Sequence, residues 1–160
     1  LCREPRITKE QKGKSMEWFS DLMSNKALLS ALLAWTVCQL YKGVYQGIKH
    51  HKWHISLFLG SGGMPSSHSA AVTALTISIG IQAGFGSLLF AVCLLFSIIV
   101  MYDAAGVRRE TGRQSAIINE IVSQQQDSVE YQHLKERVGH SPLEVIVGCV
   151  IGIIIGILPI

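Results

Sequence analysis

Two histidines stand at the thresholds of apolar segments, and a histidine pair can cleave a phosphate ester without a metal. One imidazole attacks phosphorus while the other protonates the leaving oxygen. His68 lies in Gly62-Gly63-Met64-Pro65-Ser66-Ser67-His68-Ser69, and His140 in Gly139-His140-Ser141-Pro142-Leu143-Glu144. Glu144 follows His140 by four residues, so on a helix the two side chains meet. A carboxylate on one ring nitrogen fixes the tautomer and leaves the other nitrogen free to attack. The same stretch also reads as a capping box with proline at the first helical position. Cap and relay are compatible roles.

The first histidine follows a glycine-rich loop that opens a helix. Free N–H groups and the positive helix end suit such a place to phosphate. A simple serine cap at Ser66 or Ser67 is the competing explanation, and it accounts for one serine but not for the histidine. Arg108 and Arg109 supply the planar donor fork that phosphate oxygens favour. Asp103, just ahead of them, is a carboxylate at the end of an apolar stretch, which makes it a structural ion-pair partner or a proton site. His50, His51 and His54 sit among Lys49, Lys52 and Trp53 as a basic interfacial loop, without convincing metal-ligand spacing. No metal and no cofactor are expected.

These residues need elements to hold them. Of 160 residues, 49% are apolar and only 16% charged, and mean hydropathy is positive, which is apolar for so small a chain. Four segments approach the ~20 apolar residues of a membrane span: Ala27–Ile48, Ser69–Phe85, Leu88–Val107 and Leu143–Ile160. The last three lack the one-sided period of a soluble amphipathic helix. Gly148, Gly152 and Gly156 form a small-residue ridge suited to close helix contact. The long connection from Arg108 to Ser141 carries Ala116, Ile117, Ile118, Ile121 and Val122 at helical spacing, which predicts an amphipathic helix, with a loop at Gln124–Asp127.

The expected fold is therefore an all-α integral membrane bundle of about four transmembrane helices, plus an amphipathic helix in the third connection. Residues 1–24 read as a polar tail with an interfacial helix over Glu17–Ser24, and residues 25–160 as the membrane domain. With four spans, the first and third connections share one side, which collects both histidines, Lys42 and the arginines. Six Lys or Arg in residues 1–26 against eight on the other side leave the orientation unassigned. Basic residues flank the apolar segments without forming a stripe, so no nucleic-acid partner is expected. Cys38, Cys93 and Cys149 lie inside apolar segments as small core residues.

Pro65-Ser66-Ser67-His68 resembles the P-S-G-H motif of the type 2 phosphatidic acid phosphatase and vanadium haloperoxidase superfamily. Gly139-His140-Ser141-Pro142-Leu143-Glu144-Val145 resembles the H-x-x-x-D end of its third motif. The stretch from about Asn25 to Ile160 is similar to a divergent small branch, the acid phosphatase/vanadium-dependent haloperoxidase-related membrane proteins. Gly-Gly-Met-Pro-Ser-Ser-His-Ser at 62–69, Tyr-Asp-Ala-Ala-Gly-Val-Arg-Arg at 102–109 and Gly-His-Ser-Pro at 139–142 carry that resemblance.

The resemblance implies His140 as a nucleophile forming a phosphohistidine, Glu144 as its orienting partner and His68 as the acid for the leaving group. Ser66 and Ser67 would bind phosphoryl oxygens, with Lys42 standing for the lysine of the first motif. Three elements depart from the superfamily pattern. No Arg-Pro follows Lys42, the seventh residue on being Lys49; no Ser-Arg pair precedes His140; and Glu144 replaces an aspartate. The implied activity is metal-independent hydrolysis of a lipid phosphate or pyrophosphate. The partners would be that substrate and the bilayer, with homo-oligomerisation left open. A non-catalytic membrane protein that retains a phosphate pocket for binding or assembly is the main alternative, and a small transporter using Asp103 the second.

Overall fold

The computed structural model describes residues 17–51, 63–124, 132–136 and 138–159. The polar stretch 1–15, Gly60–Gly62, Lys52, Trp53, His54, Gln125–Asp127 and Arg137 lie outside them, as does the side chain of His50. The described residues form five helices and no strand: α1 (Lys26–His50), α2 (Ser67–Ala83), α3 (Leu88–Ala105), α4 (Val107–Gln124) and α5 (Pro142–Ile157). A short helical stretch at 17–23 precedes them, with Trp18, Phe19, Leu22 and Met23 exposed as an interfacial helix requires. The architecture is that of a helical membrane protein. α1, and α3 with its continuation, are long and apolar enough to cross a membrane. α2 and α5, at 17 and 16 residues, fall short of the ~20 that an upright span needs.

Four of the five helices start where a short polar side chain can satisfy a free N–H. Asn25, Ser66, Ser87 and Ser141 cap α1, α2, α3 and α5, and the expected capping box of Ser141 with Glu144 is complete. Such closure matters more in lipid, where water is not available to unpaired backbone groups.

The glycine ridge sets the packing. A Cβ at Gly148 would strike the Ser66 carbonyl; at Gly152 it would lie 2.5 Å from the Ala70 carbonyl, and at Gly156 2.9 Å from that of Ala74. Three glycines four apart thus step along three α2 carbonyls four apart, and α5 runs parallel to α2 in close contact. α1 runs antiparallel to α2, with Ser30 beside Ser78 at one end and Lys42 beside Ser67 at the other. Ala34, Cys38, Ala70, Ala74 and Ile155 form the core between these three helices. α3 is held to α2 by Thr76 and Ser97, whose hydroxyls lie 2.8 Å apart, while its outer residues from Leu88 to Ile99 remain largely exposed. That exposure is what a helix facing lipid tails would present.

The amphipathic helix of the third connection is present, but it begins earlier than the apolar spacing at 116–122 suggests. Gly106 interrupts the backbone (φ −103, ψ −91) and α4 resumes at once at Val107. The chain then folds back along α4. Buried Asn119 accepts from the Leu134 N–H at 2.9 Å and donates to the Leu134 carbonyl and to Glu136 Oε1, each at 2.9 Å. A side chain at Gly112 would strike the Glu136 carbonyl. One amide on α4 therefore fixes the segment that leads to His140.

Candidate functional site

The C-terminal ends of α1 and α3 and the N-terminal ends of α2 and α5 meet at one end of the bundle. This is the arrangement expected when the first and third connections share a side. There the His68 and His140 rings come within 6.4 Å, centroid to centroid, tilted by 59°. The two lie 72 positions apart in sequence (140 minus 68), so only the fold joins them.

His140 is held at two points. Its N–H donates to the Ala104 carbonyl at 3.0 Å, an acceptor set free where α3 stops at Gly106. Its Nδ1 lies 3.1 Å from Glu144 Oε2, and the same oxygen accepts the Ser141 N–H at 3.1 Å. Glu144 thus closes the capping box and orients the imidazole with one atom, and among the described residues Nε2 has no hydrogen-bond partner. Gly139 is required because a Cβ there would run into the backbone of Arg108 and Arg109. The Glu144 carbonyl also accepts the Ser66 N–H at 3.0 Å, which ties the α2 loop to the start of α5.

Lys42 is the most informative neighbour. It is 3% exposed, and its Nζ donates to Ser67 Oγ at 3.2 Å. Among the described residues no carboxylate lies within ion-pair distance of it. A buried ammonium without a partner at ion-pair distance is costly; the Glu144 carboxylate acts on it from farther off, and the Nζ could also hold an anion. Ser67 shares that pocket. Ser66 is buried too, but its Oγ accepts from both the N–H and the hydroxyl of Ser69 as the α2 cap. Its first task is therefore structural.

At the rim, Arg108 Nε lies 2.6 Å from Asp103 Oδ2. The charges of Arg108, Lys42, His140 and Asp103 all act on His68, which is exposed and whose ring is free of protein hydrogen bonds among the described residues. Arg109 is exposed as well, and only its backbone takes part, against Gly139. Arg113 turns to Glu110 instead, at 2.8 Å. His51 caps α1, exposed and in a left-handed conformation (φ 50), and is not part of any group of three metal-ligating side chains, of which the described residues hold none. The pocket therefore gathers His68, His140, Glu144, Lys42, Ser67 and the Asp103–Arg108 pair. Sequence reasoning missed the Ala104 carbonyl and Asn119; an amide on the otherwise apolar face of α4 was the one available signal for the latter.

Lys42 and Ser67 beside two imidazoles could hold an anion, and the sequence matches place the pocket in a known family. The profile of the divergent PAP2 family matches residues 23–155. The chain belongs to the divergent PAP2 family. A relative in Bacillus subtilis (strain 168), the uncharacterized membrane protein YuiD, is 40% identical over 148 residues, covering 84% of this chain and 94% of that protein. No solved structure matches. The family match takes in the three blocks that carry the resemblance, at 62–69, 102–109 and 139–142, so the divergent PAP2 assignment spans the whole pocket.

Proposed function

We propose that this protein is a membrane-embedded, metal-independent phosphatase of a lipid phosphate or pyrophosphate, acting through a phosphohistidine. The His68–His140 approach of 6.4 Å, with Glu144 on His140 Nδ1, is the observation that carries the reading. His140 Nε2 attacks phosphorus and the P–O bond to the lipid breaks, the leaving oxygen taking a proton from His68. Glu144 stabilises the cationic phosphohistidine. Water, giving its proton to His68, then attacks phosphorus; the P–N bond breaks and inorganic phosphate leaves. Lys42 and Ser67 hold the phosphoryl oxygens throughout, Arg108 joins them from the rim, and Ser66 and Arg109 support the loops.

Residues 25–160 form one membrane domain that crosses the bilayer four times, with the pocket at one face. Tyr41 and Tyr45 stack on the exposed side of α1, with Lys49 over the Tyr45 ring at 6.0 Å, a composition suited to the membrane–water boundary at that face. A cleft of about 280 Å³ between α1 and α5, lined by Val37, Cys38, Met64, Pro65, Val147 and Ile151, begins one α1 turn from Lys42. It offers an apolar chain a path beside the phosphate.

The burial of His140, at 3% exposure, favours one rival: a pocket that binds phosphate without turnover. Purified protein in lipid nanodiscs, given phosphatidic acid or an isoprenyl pyrophosphate, decides between them. Phosphate release that vanadate inhibits, that survives chelation by EDTA and that is lost in His140→Ala is the expected result. Vanadate binding with no release would establish the binding role. Activity abolished by EDTA and restored by zinc or magnesium would reject the two-histidine chemistry.

A further inference from the structure

Residues five apart on a straight helix point about 140° away from each other, so Asp103 and Arg108 would not meet on an unbroken α3–α4. They meet because of Gly106. The Gly106 N–H donates to the Tyr102 carbonyl at 2.8 Å, the regular helix is interrupted at Gly106 (φ −103, ψ −91), and α4 restarts at Val107. A Cβ at position 106 would lie 2.9 Å from that Tyr102 carbonyl, so the break requires glycine. It has two products, the free Ala104 carbonyl that anchors His140 and the 2.6 Å contact between Arg108 Nε and Asp103 Oδ2.

The pair is not explained by stability. Its side chains are 50% and 39% exposed, and such pairs contribute only about 0–1 kcal/mol. The choice of atom is more telling. A carboxylate on Nε leaves both terminal nitrogens of the fork open, and among the described residues no other hydrogen bond falls on Arg108. The charge of Arg108 also acts on His68 across the pocket. We infer that Asp103 is a positioning residue: by holding Arg108 at Nε, it presents the two Nη groups to the phosphoryl group bound between His68 and His140. Arg108 thereby does the work of the absent Ser-Arg element. The inference rests on the reading of this pocket as a phosphoryl site.

Orthovanadate affinity, measured by titration calorimetry on the nanodisc protein, tests it without requiring turnover. Simple electrostatics predicts that removing a carboxylate from the rim tightens binding of an anion. Positioning predicts the opposite. Asp103→Asn should weaken vanadate binding about tenfold and raise KM by a similar factor, with kcat within about twofold, as expected for one misdirected charge-assisted contact. Arg108→Ala should weaken binding at least as much, and Asp103→Asn/Arg108→Ala no further than Arg108→Ala alone. Arg108→Lys, which keeps the charge but not the fork, should behave like alanine. Unchanged or tighter binding in Asp103→Asn, losses that multiply in the double variant, or full affinity in Arg108→Lys would each overturn the inference. Wild-type protein that binds vanadate but releases no phosphate would reject hydrolysis and leave this cycle to judge Asp103. Wild-type protein that binds no vanadate would reject both.

Discussion

The starts of α2 and α5 use the same local device and reach opposite results. Both are serine-capped, and they lie side by side, joined by the bond from the Ser66 N–H to the Glu144 carbonyl. In α2 the histidine follows the cap, so His68 sits on the first turn, exposed, with its ring free of protein hydrogen bonds among the described residues. In α5 the histidine precedes the cap. His140 is buried there, with its N–H on Ala104 and its Nδ1 on Glu144. A shift of three positions relative to the cap (68 against 66, 140 against 141) separates an exposed ring from a buried, hydrogen-bonded one. A nucleophile benefits from rigidity and a chosen tautomer; an acid that serves a leaving group and then water benefits from access to solvent.

This contrast can be broken at either histidine. His140→Ala should bring phosphate release to the background rate with every substrate, because no covalent intermediate forms; trapping with labelled substrate and acid quench should find no phosphoprotein. Appreciable turnover in that variant would remove His140 from the chemistry. His68→Ala should cost about 10²–10⁴-fold on an alkyl phosphate, the usual worth of a positioned acid. The loss should shrink markedly on a nitrophenyl phosphate, whose leaving oxygen needs no proton. Equal losses on both substrates would show that His68 does something other than protonate.

Much of this asymmetry was readable in the sequence, and the reasons are local. Caps, boxes and glycine ridges are patterns within a few residues, so Ser141–Glu144 and Gly148–Gly156 announce their roles directly. The convergence of the two histidines followed from counting helices, since odd-numbered connections share a side. What stayed hidden depends on partners distant in sequence. Burial of Lys42 against Ser67, the Ala104 carbonyl offered to His140 and the grip of Asn119 on Leu134 leave no local signature. Gly106 reads as an ordinary residue near a helix end until the pairing of Asp103 with Arg108 shows what its break achieves. Arg109 beside Arg108 is indistinguishable by composition, yet among the described residues Arg108 alone of the two is paired at the rim. α2 has the 17 residues expected but lies two positions earlier than Ser69–Phe85, and α5 is two residues shorter than Leu143–Ile160. Apolar residues continue past the helix at Phe85, where Gly84 (φ 87) has already ended α2, and α5 ends at Ile157.

The smallest effects separate cap from relay within α5, where one oxygen of Glu144 serves both His140 and the Ser141 N–H. Glu144→Gln keeps an acceptor for the capping bond, so the thermal midpoint should barely move. It removes the charge that, on the proposed mechanism, would stabilise a cationic phosphohistidine, and can turn an N–H towards Nδ1, favouring the wrong tautomer, so the rate should fall about 10²-fold. Ser141→Ala does the reverse. It deletes the acceptor for the Glu144 N–H, which lies 3.4 Å away, and leaves the contact between His140 and the carboxylate in place. That variant should lose about 0.5–2 kcal/mol of stability while its rate changes by less than about threefold, since Pro142 still starts the helix and Glu144 still reaches the ring. Stability and rate measured together on both variants place each residue on its own axis. If Glu144→Gln were fully active, the carboxylate would be a cap alone, and the buried setting of His140 would owe its order to the Ala104 carbonyl instead.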